Sequence, residues 1–338
     1  MMSNKAKYIS LLLISLLGLG LFLGIKYYLT WKKPNTLNDG KLYIPANATW
    51  QDLQDSLKPL IKNWNSFLDA AEKKNLKNHI RPGRYSLQSN WNNEELIRFL
   101  KTGKQDEIPI RIGNYFNAMH MAGRISPFLE IDSLEIMEAL EKSTLNKDKE
   151  FYQWHHFIIP NTYNFHWAIS AENFVKKMED IYYNFWTDER NKKAKSLNYS
   201  KYQVTTLASI VQLESYQKEE QTIVAGVYIN RLKSGMKLDA DPTVIFAWAV
   251  ENPNEERLKR VLFKHLKVEN PYNTYIYKGL PPGPICMPDP NTIDAVLNYE
   301  QNPYYYFVAN PEKAGYHIFA KTYQEHLKNA NKYRRSLN

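Results

Sequence analysis

From Tyr8 to Ile25 the chain carries no charged side chain, and its only polar groups there are Ser10, Ser15 and the leading tyrosine. A stretch this long, apolar on every helical face, does not suit the surface of a soluble domain. Roughly 20 such residues match the hydrocarbon thickness of a bilayer. Tyr27, Tyr28 and Trp31 follow at once, as rings suited to the membrane–water boundary do. The small residues Gly18 and Gly20 fall inside the apolar run and not after it, so a retained anchor is expected in place of a cleaved signal peptide. Charge does not orient the anchor. Lys5 and Lys7 stand on one side and Lys26, Lys32 and Lys33 on the other, which taken literally leans toward an internal body. A single-pass helix in the cytoplasmic membrane with the body outside is expected instead, because the chemistry below points to an extracytoplasmic substrate.

The remaining length, in a chain of 338 residues, suits two or three domains. Forty-four basic against 35 acidic residues leave a net charge of +9, which suits nucleic acid, an anionic membrane surface or an acidic polymer. No arginine-rich run, zinc-finger spacing or RNA-binding aromatic motif occurs, so nucleic acid is discounted as a partner. The single cysteine, Cys286, excludes an intrachain disulfide and reads as a buried small hydrophobe. His155, His156 and His166 lack metal-ligand spacing, and neither a metal nor a cofactor is expected.

An α+β chain is expected overall: a short cytoplasmic tail (1–7), a transmembrane helix (8–30), a linker (31–40), a compact α+β module (41–104), a helical connecting subdomain (105–198) and an α+β C-terminal domain (199–338). In the module, a strand at Lys41–Pro45 precedes helices opening at Thr49 and running over Asn65–Ala71, then a turn and strand from Arg81 and a helix over Asn93–Leu100. The stretch Phe151–Trp167 reads as irregular; its Trp154, Phe157, Tyr163, Phe165 and Trp167 are core rings first and sugar-stacking rings second. Arg190–Lys195 reads as a solvated basic connection. Further on, Asp241-Pro242 and Asp289-Pro290 each offer a cap followed by proline at a helix start. Gly279–Pro284 is a stiff loop able to hold a cleft wall, and Tyr304–Val308 with Tyr316–Phe319 predicts a hairpin.

Glu214 stands out in this half. It follows Leu207, Ile210 and Val211 by seven, four and three positions, so on a helix it shares their apolar face. A carboxyl there loses hydration, keeps its proton toward neutral pH and can protonate a leaving group. The competing reading is a solvated pair with Lys218, four residues on.

The series Leu207–Glu214, Val227–Leu232, Gly235–Leu238, Asp241–Ile245, Tyr272–Tyr275, Gly279–Pro284, Tyr306–Ala309 and His317–Phe319 resembles, in order, the motifs of the endolytic murein transglycosylases, the YceG-like family. The resemblance implies a membrane-anchored enzyme that cuts peptidoglycan glycan strands internally, with its catalytic glutamate at Glu214. It also implies a LysM-like, wall-associated module at 41–104 and action on nascent strands beside peptidoglycan synthases. Two departures stand out. Gln212 replaces a second glutamate often found there, leaving Glu214 as the sole carboxylate between Leu207 and Lys218. Upstream, His155-His156 stands for Glu-Gly, and Asn161 for an aspartate; these positions are expected to shape a domain junction and are not counted as catalytic.

Ordinary glycosidases pair two carboxylates, about 5 Å apart for retention or roughly 6.5–9.5 Å for inversion. A lytic transglycosylase needs one, which protonates the bridging oxygen and then takes a proton from the muramic C6 hydroxyl as that oxygen attacks C1. Asn230, Asp241, Thr243, Tyr272, Asn273, Tyr275 and His317 are candidates to bind sugar hydroxyls and N-acetyl carbonyls. For Asn230 a structural hydrogen bond, for Asp241 a helix cap and for His317 a satisfied core histidine are the alternatives. Two other functions stay open: a hydrolase that adds Asp239 or Asp241 as second carboxylate, and a non-catalytic wall-binding scaffold.

Overall fold

The computed structural model describes residues 4–115, 117–146 and 156–337. Phe151, Trp154 and His155, singled out above, lie outside the described residues. Among the described residues, helices are mixed with three two-stranded sheets, as the α+β expectation required. It divides into two compact units, Met1–Pro109 with Phe128–Glu130 and Asn164–Ile169, and Ile110–Pro127 with Ile131–Tyr163 and Ser170–Asn338. Most of residues 105–198, expected as a separate subdomain, therefore belong to the second unit.

In the first unit, helix α1 (Asn4–Tyr27) runs into a π-helical turn at Tyr28–Lys32. The segment Lys7–Lys32 has a mean hydropathy of 2.4 in a window that buries nothing, and is long and apolar enough to cross a membrane. Strands β1 (Gly40–Ile44) and β2 (Gly83–Leu87) pair antiparallel, Gly40 opposite Leu87 and Ile44 opposite Gly83. Between them lie α2 (Trp50–Leu57) and α3 (Trp64–Lys73); α4 (Asn93–Thr102) follows. Thr49 with Asp52, and Asn92 with Glu95, close capping boxes at the starts of α2 and α4, so the local sequence sets both helix starts. Leu42, Leu53, Phe67, Tyr85 and Leu96 are among the residues of one apolar core.

The linker expected at 31–40 is instead part of this unit. Thr36 bridges Ile61 and Pro34 bridges Asn92, and Asn35 donates to Asn93 Oδ1 at 2.7 Å while accepting from the Asn63 amide at 2.7 Å. Turn-rich composition signals irregular backbone. It does not signal whether side chains find buried partners, and here two do.

Strands β3 (Glu107–Ile112) and β4 (Asn161–His166) pair with each other, and each contributes residues to both units. Strand β4 lies where the sequence suggested irregular chain: its alternation is hidden by a mixture of polar and aromatic residues. Phe157 and Phe165 are core rings, 0% and 1% exposed, which withdraws them from any sugar contact. The helices α5 (Ala118–Ile125), α6 (Ser133–Lys142), α7 (Ala171–Phe185) and α8 (Asp188–Ser196) start on the side-chain caps Asn117, Asp132, Ser170 and Thr187. The basic run Arg190–Lys195 is therefore helical, and Arg190 forks onto Asp294 at 2.7 and 2.8 Å.

Helix α9 (Lys201–Glu214) is the centre of the second unit. It packs against α8, α10 (Lys218–Lys233), α11 (Asp241–Glu251) and α12 (Pro290–Leu297). Every residue from Val204 to Val211 is buried, so this is a core helix surrounded on all sides and not an amphipathic one. Strands β5 (Tyr306–Ala309) and β6 (His317–Ala320) form the expected hairpin, with Phe307 opposite Phe319. Helix α13 (Tyr323–Ser336) packs against that hairpin.

Candidate active site

Glu214 is the last residue of α9, and Ser215 after it is extended. The pair with Lys218 is thereby removed, since the two residues fall on different helices. A position at the C-terminal end of a helix faces unpaired carbonyl oxygens, which disfavour a negative charge. Glu214 opens into a cleft of about 410 Å³. Burial pushes its carboxyl up to about 7 and the Asp241 carboxylate adds to the rise, while a hydrogen bond from the Tyr228 phenol and the Arg231 cation pull the other way. Near pH 7 such a group is present in both protonation states, as proton transfer in two directions requires.

Tyr228 and Arg231 are three residues apart on α10 and share its cleft-facing side. Burial and the neighbouring Glu214 raise the Tyr228 phenol well above its usual range, so it stays a proton-bearing donor. Arg231 is anchored by the protein itself: it donates to the carbonyls of Tyr305 at 2.7 Å, Lys237 at 3.1 Å and Leu238 at 2.8 Å, and pairs with Asp239 at 3.0 Å. Asp239 has a φ of +50°, uncommon for a residue with a side chain, and the ion pair fixes it there. Opposite, Tyr275 donates to Asp241 Oδ1 at 2.7 Å. Tyr306, Phe307, Tyr323 and His326 line the rest of the cleft.

Of the residues expected to bind sugar, Asp241 and Tyr275 line the cleft. Asp241 is not a cap: α11 begins with it, Ala240 holds the cap position, and no side chain caps the helix. Thr243, Tyr272 and Asn273 are at most 0% exposed and do not reach a ligand. Their work is structural. Asn273 donates to the carbonyls of Leu266 and Val268, and accepts from the amide of Tyr275. Thr243 shares a hydrogen bond with Thr274 at 2.8 Å, and Tyr272 packs on Phe246. Together they lock the turn that aims Tyr275 at Asp241.

Asn230 is likewise corrected. Its amide donates to the carbonyls of Asn302 and Tyr304 at 2.8 and 3.0 Å, which takes its donors out of reach of a sugar. His317 pairs with buried Glu220 through Nδ1 at 2.9 Å and through its own backbone N–H at 2.9 Å. That is a satisfied histidine outside the cleft lining. Gln212 turns to α12, accepting from Thr292 Oγ1 at 2.5 Å and the Asp289 amide at 3.2 Å. The motif's other residues hold the wall: Ser209 Oγ accepts from the Ile285 amide at 2.9 Å, just after the stiff proline loop. At Gly283 an added Cβ would collide with the Tyr202 hydroxyl, so any side chain there would have to displace that phenol. His156 is 5% exposed among aromatic rings, edge-on to Phe157 and Tyr202. Burial pushes the Cys286 thiol up to about 12, as for an inert core cysteine. Among the described residues, no group of three or more His, Cys, Asp or Glu side chains is placed to hold a metal ion.

Sequence reasoning missed Tyr228 and Arg231 as site residues, and Tyr306, Tyr323 and His326 with them. For the first two a signal existed. Tyr228 and Arg231 lie on one face of their helix, and Asn230 is turned about 100° from Arg231 at 3.6 residues per turn.

A family model described as the YceG-like family matches residues 42–332. An endolytic murein transglycosylase of Bacillus subtilis (strain 168) is 34% identical, over 54% of this chain and 48% of that protein. One from Streptococcus pneumoniae (strain ATCC BAA-255 / R6) is 24% identical, over 96% of this chain and 64% of that protein. The chain thus spans about half to two thirds of the length of these curated relatives. A crystal structure of a yceG-like protein from Listeria monocytogenes superposes with a TM-score of 0.57 at 24% identity, covering 86% of this chain and 98% of that one; the two share a fold.

Proposed function

Because this chain belongs to the YceG-like family, we propose that it is an endolytic peptidoglycan lytic transglycosylase. It cleaves the bond between N-acetylmuramic acid and N-acetylglucosamine inside nascent strands, leaves 1,6-anhydro ends and so ends strand elongation. One observation carries this reading: the Glu214 carboxyl, pushed up to about 7 by burial, faces the cleft with the Tyr228 phenol bonded to it.

The proton inventory closes with that one group. Protonated Glu214 gives its hydrogen to the bridging oxygen as the bond to the muramic C1 breaks. Glu214, now a carboxylate, takes the proton of the muramic C6 hydroxyl while that oxygen bonds to C1. The carboxyl ends as it began, and no water is consumed. A tethered nucleophile needs no second carboxylate to activate it, and tethering alone can supply several kcal/mol of the barrier. Asp239 and Asp241 are engaged by Arg231 and Tyr275; their role is electrostatic, and Tyr228 tunes the acid.

The apolar helix supports a single-pass anchor in the cytoplasmic membrane, with the chain that follows it on the outer side, where the glycan is. The self-contained βααβ module of the first unit is assigned to wall association as a LysM-like domain, and action on nascent strands puts the protein beside peptidoglycan synthases. The test is product analysis. The full chain, incubated with purified sacculi, should release anhydro-ended fragments by mass spectrometry, and Glu214→Gln should release none. Reducing ends would mean that water attacked, favouring the hydrolase with Asp239 or Asp241. Glycan binding without products from either protein would make it a scaffold.

A further inference from the structure

Helix α13 has no fully buried residue. It adds little to the core, yet two of its side chains, Tyr323 and His326, line the cleft that holds Glu214. There they meet Tyr306 of strand β5. The Tyr306 and His326 rings stack at 5.4 Å with planes 25° apart, and Tyr323 lies 5.9 Å from Tyr306 and 6.2 Å from His326. The Arg231 guanidinium lies over the Tyr306 ring, 5.3 Å from its centroid, and Arg231 is itself fixed by three backbone carbonyls. Tyr306 is therefore rigid, and Tyr323, 56% exposed, is open to a ligand. His326 Nδ1 is buried without a hydrogen-bond partner.

Burial, with Arg231 nearby, also lowers the His326 pKa, which keeps its ring uncharged at neutral pH. The cleft lining thus carries two chemically distinct sets of groups: carboxyl and phenol groups around Glu214, and uncharged rings on β5 and α13. Pyranose rings present a face of C–H bonds and a rim of hydroxyls, and aromatic groups with one polar tip suit both.

We propose that Tyr323, seated on the stacked Tyr306–His326 pair, offers the exposed ring of a three-residue platform, two thirds of it contributed by α13, that holds one uncharged N-acetylated pyranose of the strand beside Glu214. The platform positions the sugar and takes no part in proton transfer. It rests on the reading of the cleft as a glycan site.

The test uses the full chain in detergent with Glu214→Gln, so that ligand survives, and chitotetraose as the neutral probe. Calorimetric titration should show binding that Tyr323→Ala weakens about fivefold to tenfold, the loss expected for one aromatic contact, and that Tyr323→Phe restores. In the active protein, Tyr323→Ala should raise KM for glycan strands with kcat nearly unchanged. His326→Ala should also weaken binding, and His326→Phe should recover most of it. Unchanged affinity in Tyr323→Ala overturns the platform while leaving the assignment of the cleft intact, as does failure of the phenylalanine to restore it. A Glu214→Gln parent that binds no chitotetraose overturns the platform for this ligand. Anhydro products from the wild-type protein in that case would leave the proposed reaction standing.

Discussion

The Tyr275 phenol donates a hydrogen bond of 2.7 Å to the Asp241 carboxylate, and that carboxylate raises the proton affinity of Glu214. Tyr275 and Asp241 both lie outside α9. The acid strength of Glu214 is therefore set partly from outside its own helix. Replacing Asp241 by Asn keeps the acceptor for Tyr275 and removes the charge. The alkaline limb of the pH–kcat/KM profile, expected near pH 7, should then move to lower pH, because loss of a neighbouring anion eases ionisation. If Asp241 were the second carboxylate of a hydrolase, the same variant would instead lose activity at every pH.

Tyr228 acts in the opposite sense. Its hydrogen bond favours the ionised form of Glu214, so Tyr228→Phe should move the same limb to higher pH. Rate profiles of the two variants, taken side by side, should be displaced in opposite directions from wild type. Profiles that coincide with wild type would remove both residues from the tuning of the acid.

Glu214→Gln should lower strand cleavage by at least about a hundredfold, the usual cost of deleting an acid–base group, with the fold intact. It should also change stability with pH. The native carboxyl holds its proton up to about 7, above its ordinary 4.5, so the native state binds more protons than the unfolded chain between those values. Stability contributed by the protonated form is complete below the unfolded value and is lost as pH rises through the native one. At pH 8.5 the variant should outlast wild type in thermal melts, by up to about 3 kcal/mol. At pH 4 the two should melt together.

Arg231 holds the strand and loop that border the cleft. A lysine keeps the charge but cannot fork onto three carbonyls and Asp239 at once. Arg231→Lys should cost about 2 kcal/mol in urea unfolding, from buried acceptors left unpaired. It should also lower activity by loosening Asp239 and Tyr306.

Gly226 lies where α10 meets the chain before the hairpin. An added Cβ would sit 2.3 Å from the Glu300 carbonyl oxygen, a backbone atom that does not yield readily. Gly226→Ala should destabilise by roughly 1–3 kcal/mol through overpacking, read as a lower unfolding midpoint with Glu214 chemistry unchanged per folded molecule.

Much of the scaffold was legible before any coordinates. The helix starts at Thr49 and Asn93, the hairpin and the apolar N-terminal helix are local patterns, and backbone geometry translates each directly into structure. The site was legible only in its centre. Asn230, Tyr272 and Asn273 were chosen for having sugar-compatible side chains, yet all three spend those groups on backbone carbonyls or packing. Hydrogen-bonding capacity is visible in a residue name, and the partner that consumes it is not. Tyr323 and His326 went unnoticed for the converse reason: a polar C-terminal helix gives no local sign of what it leans against.

Sequence alone determined that a carboxyl would share one helix face with Leu207, Ile210 and Val211, because that depends only on 3.6 residues per turn. Where that helix ended, and which groups then faced Glu214, was decided by the packing of α10, the turn before α11, the hairpin and α13. The proton affinity of a carboxyl depends on every charge and dipole within a few ångströms, and those neighbours come from segments that only the folded chain brings together.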